Sequence, residues 1–130
     1  MIDDETLDLA DRMFRGIEQG DLDAVGACYD PDIVVWANFD GKELDRTRAL
    51  RLLSWLCGHL ADRRYDVTRR QVIDGGFLQE HVLRGTAPSG QTIAMPACII
   101  ATVSDGRITR IHEYLDPAGV AALTAGKDPA

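Results

Sequence analysis

The order of hydrophobic periodicities along this chain predicts an α+β fold, helices first and a curved antiparallel sheet after them. Apolar residues recur at helical spacing up to Arg64, and from Tyr65 onward they alternate as they do along strands. The alternating segments are joined by Gly75-Gly76, Pro88-Ser89-Gly90 and Ser104-Asp105-Gly106. Such short turns link antiparallel neighbours, because parallel strands need a much longer crossover. At 130 residues and 45% apolar content the chain forms one domain, residues 1–125, with 126–130 as a flexible tail. Three helices on the concave side of a curled sheet leave a cone-shaped pocket between the layers.

Asp3 or Asp4 caps the first helix, whose Ala10, Met13, Phe14 and Ile17 fall on one face, and Gly20 ends it. Asp21 opens a short second helix carrying Leu22, Val25 and Tyr29, which Asp30-Pro31 stops. Ile33 to Phe39 is rich in β-branched and aromatic residues and reads as a short strand closed by Asp40-Gly41. Asp45 or Thr47 caps the third helix, with Leu50, Leu53, Trp55, Leu56 and Leu60 as a broad apolar surface. Four long strands follow: Tyr65 to Asp74, Phe77 to Ala87, Gln91 to Val103 and Arg107 to Leu115. Asp116-Pro117 then starts a short helix through Leu123.

The net charge of -7 argues against a nucleic-acid partner, which requires a basic face. No apolar run is long enough to span a membrane, and the acidic start MIDDETL lacks the layout of a signal peptide. Cys28, Cys57 and Cys98 are odd in number and set among apolar residues, as expected for free thiols in the reducing cytoplasm. No CxxC or HExxH pattern points to a metal.

The last strand carries the chemistry. Alternation puts Ile111, Glu113 and Leu115 on one face, and Ile108, Arg110, His112 and Tyr114 on the other. A carboxylate between two large aliphatics is drawn into the core, where it must be paired, protonated or functional. The opposite, half-apolar face reads as the convex surface of the sheet and the interface of a homodimer.

Three segments carry a family resemblance: GDLDAVGACYDPDIVVW (Gly20 to Trp36), Trp36-Ala37-Asn38, and SDGRITRIHEYLD (Ser104 to Asp116). They resemble the nuclear transport factor 2-like superfamily, the cystatin-like α+β cones. Within it they look like the SnoaL-like polyketide cyclases, ketosteroid isomerases and limonene epoxide hydrolases. The resemblance to the epoxide hydrolases implies that Trp36 and Asn38 match an aromatic-x-Asn pair that helps hold water, and that Glu113 matches an acid on the final strand. Their Arg-x-Asp position falls on Glu80-His81-Val82, and the steroid isomerases' base falls on Ala37 or Asn38. The resemblance also implies a three-residue Ser104-Asp105-Gly106 loop, pairing Glu113 with Ala97; a two-residue turn would pair it with Cys98.

In the longer-loop register Met95, Ala97 and Ile99 face the pocket, as do Glu80, Val82 and Arg84, with Trp36 and Asn38 at the edge. The expected site is then catalytic Glu113, Arg84, Glu80 and Asn38, with substrate-binding Trp36, Trp55, Met95, Ala97, Ile111 and Leu115. A slip of one residue would exchange Glu80 for His81. The bland alternative is a structural Glu-Arg pair at the sheet margin, and Trp36 and Trp55 as ordinary core residues. The expected function is cofactor-independent acid-base chemistry on an apolar, oxygen-bearing small molecule: isomerisation, cyclisation, dehydration or epoxide hydrolysis. The rival is a binding module of the same fold that holds a hydrophobic ligand without chemistry.

Overall fold

A computed structural model describes residues 2–125; the expected flexible tail lies outside the described residues. Helix α1 (Ile2–Gln19) buries Leu9, Ala10, Met13, Phe14 and Ile17, the i, i+3, i+4 stripe of an amphipathic helix. Gly20, left-handed at φ 72°, ends it. The Asp21 carboxylate then accepts from the Ala24 N–H at 3.1 Å to start α2 (Leu22–Cys28). Strand β1 spans Tyr29–Ala37 and the short β2 spans Glu43–Leu44. Asp45 caps α3 (Arg46–His59) through the Arg48 N–H at 2.9 Å. Strands β3 (Ala61–Ile73), β4 (Gly76–Thr86), β5 (Thr92–Ser104) and β6 (Arg107–Leu115) precede α4 (Pro117–Thr124), which Asp116 caps.

The sheet order is β2-β1-β6-β5-β4-β3. All pairings are antiparallel except β1 with β6, which run parallel. That one exception follows from chain order, since β1 leaves the helices and meets the last strand only after a long detour. Two boundaries differ from the sequence reading. Tyr29 belongs to β1 and pairs with Ile108, because Asp30-Pro31 sits in an irregular stretch before Val34 pairs with Arg110. Proline there forfeits no ladder hydrogen bond.

Strand β3 starts at Ala61, four residues earlier than expected, and Arg63 supplies the reason. Its guanidinium donates to the carbonyls of Ile17 (3.0 Å), Glu18 (3.2 Å), Cys57 (2.8 Å) and Leu60 (2.8 Å). These belong to the C-terminal ends of α1 and α3, where carbonyls lack helical partners. One side chain thus satisfies two helix ends and fixes where the strand begins.

Helices and sheet enclose two apolar clusters. The larger joins Phe14 and Ile17 of α1 to Ile33, Phe77, Ile99, Ile108 and Ile111. The smaller joins Leu60, Leu83, Ile93, Met95, Leu115 and Leu123 beneath α4. Each large aliphatic buried this way adds about 1.5–3 kcal/mol. Ile108 is fully buried, contrary to the expectation that it faces outward. Strict alternation would turn Ile108 and Ile111 to opposite faces. A bulge resolves this: Val103 pairs with Ile108 but Thr102 with Arg110, leaving Thr109 as an extra residue.

The sheet also relies on Gly76, where a β-carbon would overlap the Ala101 carbonyl oxygen of the neighbouring strand. A Gly76→Ala variant is expected to lose about 3 kcal/mol, the upper end of overpacking costs, as measured by urea unfolding at neutral pH.

Candidate functional site

Past the Thr109 bulge, β6 turns Ile111, Glu113 and Leu115 toward the helices. There they line a cavity of about 140 Å³ between the sheet, α3 and α4. Phe39 and Leu52 are its exposed members, so the mouth lies between the β1–β2 loop and α3. Trp55, Met95 and Val120 add to an apolar wall, and Tyr29 and Tyr65 add two phenols. Glu113 is the one charged side chain among the described lining residues. Burial pushes its carboxyl up to about 7. Both phenols are pushed well above the usual tyrosine range, first by burial and then by the Glu113 charge. They therefore remain protonated donors at any physiological pH. An acid poised near neutrality and two fixed donors, walled by hydrocarbon, can transfer a proton and hold a developing negative charge on oxygen.

Beside the cavity, the sheet floor is filled. The Arg70 guanidinium, with Asp11 at 3.6 Å, donates to Gln79 Oε1 at 2.6 Å, and Gln79 Nε2 lies 2.9 Å from His81 Nδ1. Since the Gln79 amide nitrogen donates, His81 Nδ1 accepts, and its proton sits on Nε2. That Nε2 is buried without a hydrogen-bond partner among the described residues. The ring packs edge-on against Tyr65, centroids 4.7 Å apart, and against Phe14 at 5.7 Å. Burial, aided by the Arg70 charge, lowers its pKa to about 4, so His81 is neutral near pH 7. It supports Tyr65 from behind and does not line the cavity.

The structure gathers Glu113, Ile111, Leu115, Met95 and Trp55 around one space, as the sequence pattern suggested. It separates the others. Arg84 pairs with Asp66 at 3.2 Å and Glu80 with Arg69 at 3.4 Å, both on the far side of the sheet. The cause is the Pro88-Ser89-Gly90 loop with Gly90 left-handed at φ 89°, which pairs Gln79 with Ile99 and Leu83 with Met95. Gln79, His81 and Leu83 therefore face inward, and Glu80, Val82 and Arg84 face out.

The expected pairing of Glu113 with Ala97 is also corrected. Ser104 pairs with Arg107 across a two-residue turn with Asp105 (φ 52°) and Gly106 (φ 75°) both left-handed. The bulge then brings Glu113 opposite Ile99. The error is two residues, an even number, so Met95 and Ile99 still face the cavity. Ala97 packs on the smaller core cluster and does not line the cavity.

Asn38 aims at backbone. Its Oδ1 accepts from the Leu115 N–H at 2.9 Å and its Nδ2 donates to the Leu115 carbonyl at 3.2 Å, while its own N–H donates to the Glu113 carbonyl at 3.0 Å. Trp36 packs on the convex face against His112 and Tyr114, centroids 5.3 Å from each. The phenols of Tyr29 and Tyr65 escaped the sequence reading, which placed one in a helix and treated the other only as a strand start. An aromatic ring with a polar tip at the border of an apolar stretch was the available signal.

Among the described residues no cluster of three or more His, Cys, Asp or Glu is placed to hold a metal, and no helix is long and apolar enough to cross a membrane. A family model for the SnoaL-like domain matches residues 10–111. An uncharacterized protein of Mycobacterium tuberculosis is 30% identical over 132 residues, covering 96% of this chain and 100% of that one. Among solved structures, an LEH-like epoxide hydrolase of M. tuberculosis superposes with a TM-score of 0.76 at 20% identity, covering 95% of this chain and 98% of that one. A protein of ketosteroid isomerase-like fold from Catenulispora acidiphila, in complex with trimethylamine, gives a TM-score of 0.77 at 14% identity, covering 88% and 90%.

The raised Glu113 pKa makes stability depend on pH. The native state keeps a proton that the unfolded chain releases between about pH 4.5 and 7, so stability contributed by this group falls as pH rises through that window. A Glu113→Gln variant is expected to match the wild type near pH 4 and to exceed it at pH 8 by on the order of 3 kcal/mol, read from urea midpoints.

Proposed function

The chain belongs to the SnoaL-like family, and on that premise we propose that it is an enzyme that moves a proton on a small, apolar, oxygen-bearing molecule without a cofactor. The observation that carries this reading is Glu113, poised near neutrality beside two phenols in a cavity otherwise lined by hydrocarbon. With Arg84 engaged by Asp66, no guanidinium holds Glu113 ionised, and it acts first as the proton donor. The carboxylate left behind can take a proton from another atom of the same substrate, which is what isomerisation, cyclisation or dehydration requires. Tyr29 and Tyr65 hold the substrate oxygen as charge develops on it. A cavity of about 140 Å³ suits a substrate core about the size of benzene, since an apolar cavity of about 150 Å³ takes that molecule. Epoxide hydrolysis is less well supported, because Asn38, which would help hold the water, is committed to the Leu115 backbone.

The second reading, a binding module, draws on the Catenulispora protein of the same fold, which is in complex with a small molecule. Exchange of deuterium from solvent into carbons next to the carbonyl of small cyclic ketones separates the two by proton NMR. The catalytic reading expects exchange by the wild type and a loss of roughly two to four orders of magnitude in Glu113→Gln. It also expects kcat/KM to fall about tenfold per pH unit above about 7, where the acid form disappears. Ketones that bind without exchanging, or equal exchange in Glu113→Gln, would leave the binding module as the better reading.

The convex face also supports a homodimer. Ile100 and Tyr114 are exposed there at 38% and 44%, around the Trp36–His112–Tyr114 cluster. Light scattering at micromolar concentration is expected to give twice the 14.3 kDa chain mass, and Ile100→Glu to halve it. A monomer mass for the wild type would reject the assembly.

A further inference from the structure

The proposed proton transfer starts from the acid form of Glu113, whereas above about pH 7 the resting site holds the ionised form. That form is an anion in a cavity with no cationic side chain among its described lining residues. The titratable groups facing it are the phenols of Tyr29 on β1 and Tyr65 on β3, with Cys28 of α2 acting on Tyr29, and Cys57 of α3 and Glu18 of α1 acting on Tyr65. From α1, α4, β4 and β5 the cavity receives only apolar side chains. Arg63, Arg70 and Arg84 are held elsewhere, by carbonyls, Gln79 and Asp66. Four aromatic rings, those of Tyr29, Phe39, Trp55 and Tyr65, share the lining with Glu113.

From this juxtaposition of one uncompensated carboxylate and four aromatic rings in a hydrocarbon-walled cavity, we propose that the site is also a receptor for a small alkylated ammonium ion. The carboxylate supplies the counter-charge, and the ring faces attract the cation through their quadrupoles. Alkyl groups on nitrogen bury against the aliphatic wall and replace a hydration shell that a bare ammonium would surrender only at high cost. The two exposed lining residues at the mouth, Phe39 and Leu52, are uncharged. A proton and the ammonium ion compete for the same carboxylate. Binding therefore strengthens with pH until Glu113 is fully ionised, then levels off, while a neutral ligand gains nothing.

The inference rests on the reading that Glu113 lines an open cavity and does not depend on catalysis. Tetramethylammonium is a suitable probe because its charge does not titrate, and tert-butanol is a neutral molecule of similar size. Each is titrated into the full-length protein at pH 5.5 and 8.5 and followed by NMR shifts of the cavity methyl groups. Tetramethylammonium is expected to bind saturably at pH 8.5 and about 30-fold more weakly at pH 5.5, the cost of displacing a proton held to about pH 7. tert-Butanol is expected to bind equally at both. Glu113→Gln is expected to lose tetramethylammonium at both values and to retain tert-butanol, which also reports that the variant is folded. Binding of tetramethylammonium that ignores pH, that survives in Glu113→Gln, or that is absent while tert-butanol binds would overturn the proposal and leave the proposed function standing. If neither molecule binds, the open-cavity reading fails and this inference with it.

Discussion

Two isoleucines three residues apart on one strand, Ile108 and Ile111, both lie in the core, and that requirement organises the sheet. A regular strand cannot bury both, so β6 takes in Thr109 as an extra residue, whose hydroxyl donates to the Thr102 carbonyl at 3.3 Å. The bulge sits at the junction of three strands. Before it, Ile108 packs under α1 and pairs with Tyr29 at the start of β1. After it, Ile111, Glu113 and Leu115 turn inward together. A strand without the bulge could satisfy the first half of the core or the second, but not both. Glu113 is inside because its aliphatic neighbours must be.

That origin explains why the acid is perturbed without any elaborate device. Hydrophobic packing of the flanking residues overrides the preference of one carboxyl for water, and the cost appears as a raised pKa in place of a lost fold. The rest of the polar interior shows the opposite strategy. Arg63 finds four carbonyls, Glu18 accepts from the Tyr65 N–H at 2.8 Å, and Arg70, Gln79 and His81 form a connected chain. Apart from His81 Nε2, these polar groups are satisfied by their neighbours, and Glu113 stands where the cavity opens.

The sequence made the element order, the switch to strands and the inward face of the last strand legible, because each rests on local periodicity that one segment reveals by itself. It did not make the cross-strand partners legible. Those depend on loop geometry, and one residue more or less exchanges Glu80 for His81 on the inner face. The left-handed glycine at position 90 decides that choice for β4, and no pattern within β4 announces it. For β6, an expected longer loop and the observed turn plus bulge differ by two residues, so past the bulge the faces agreed although the partners did not, while Ile108 before it turned inward. Asn38 was expected to hold substrate oxygen or water, but its amide matches the complementary N–H and C=O of Leu115, 77 residues away in sequence, which composition does not reveal. The tyrosines were hidden for a different reason: a phenol donor in a pocket looks, in sequence, like any aromatic core residue.

Asn38 links two parts of the molecule that a pocket would otherwise keep separate. It precedes Phe39 at the mouth, and it grips the backbone of Leu115 and Glu113 at the back. The threshold and Glu113 are therefore tied together, and reshaping the β1–β2 loop would also move the backbone that carries Glu113. Change in ligand size is more freely made from the other side, through Leu52 on α3 and Val120 on α4, which frame the same cavity without holding the strand that carries Glu113.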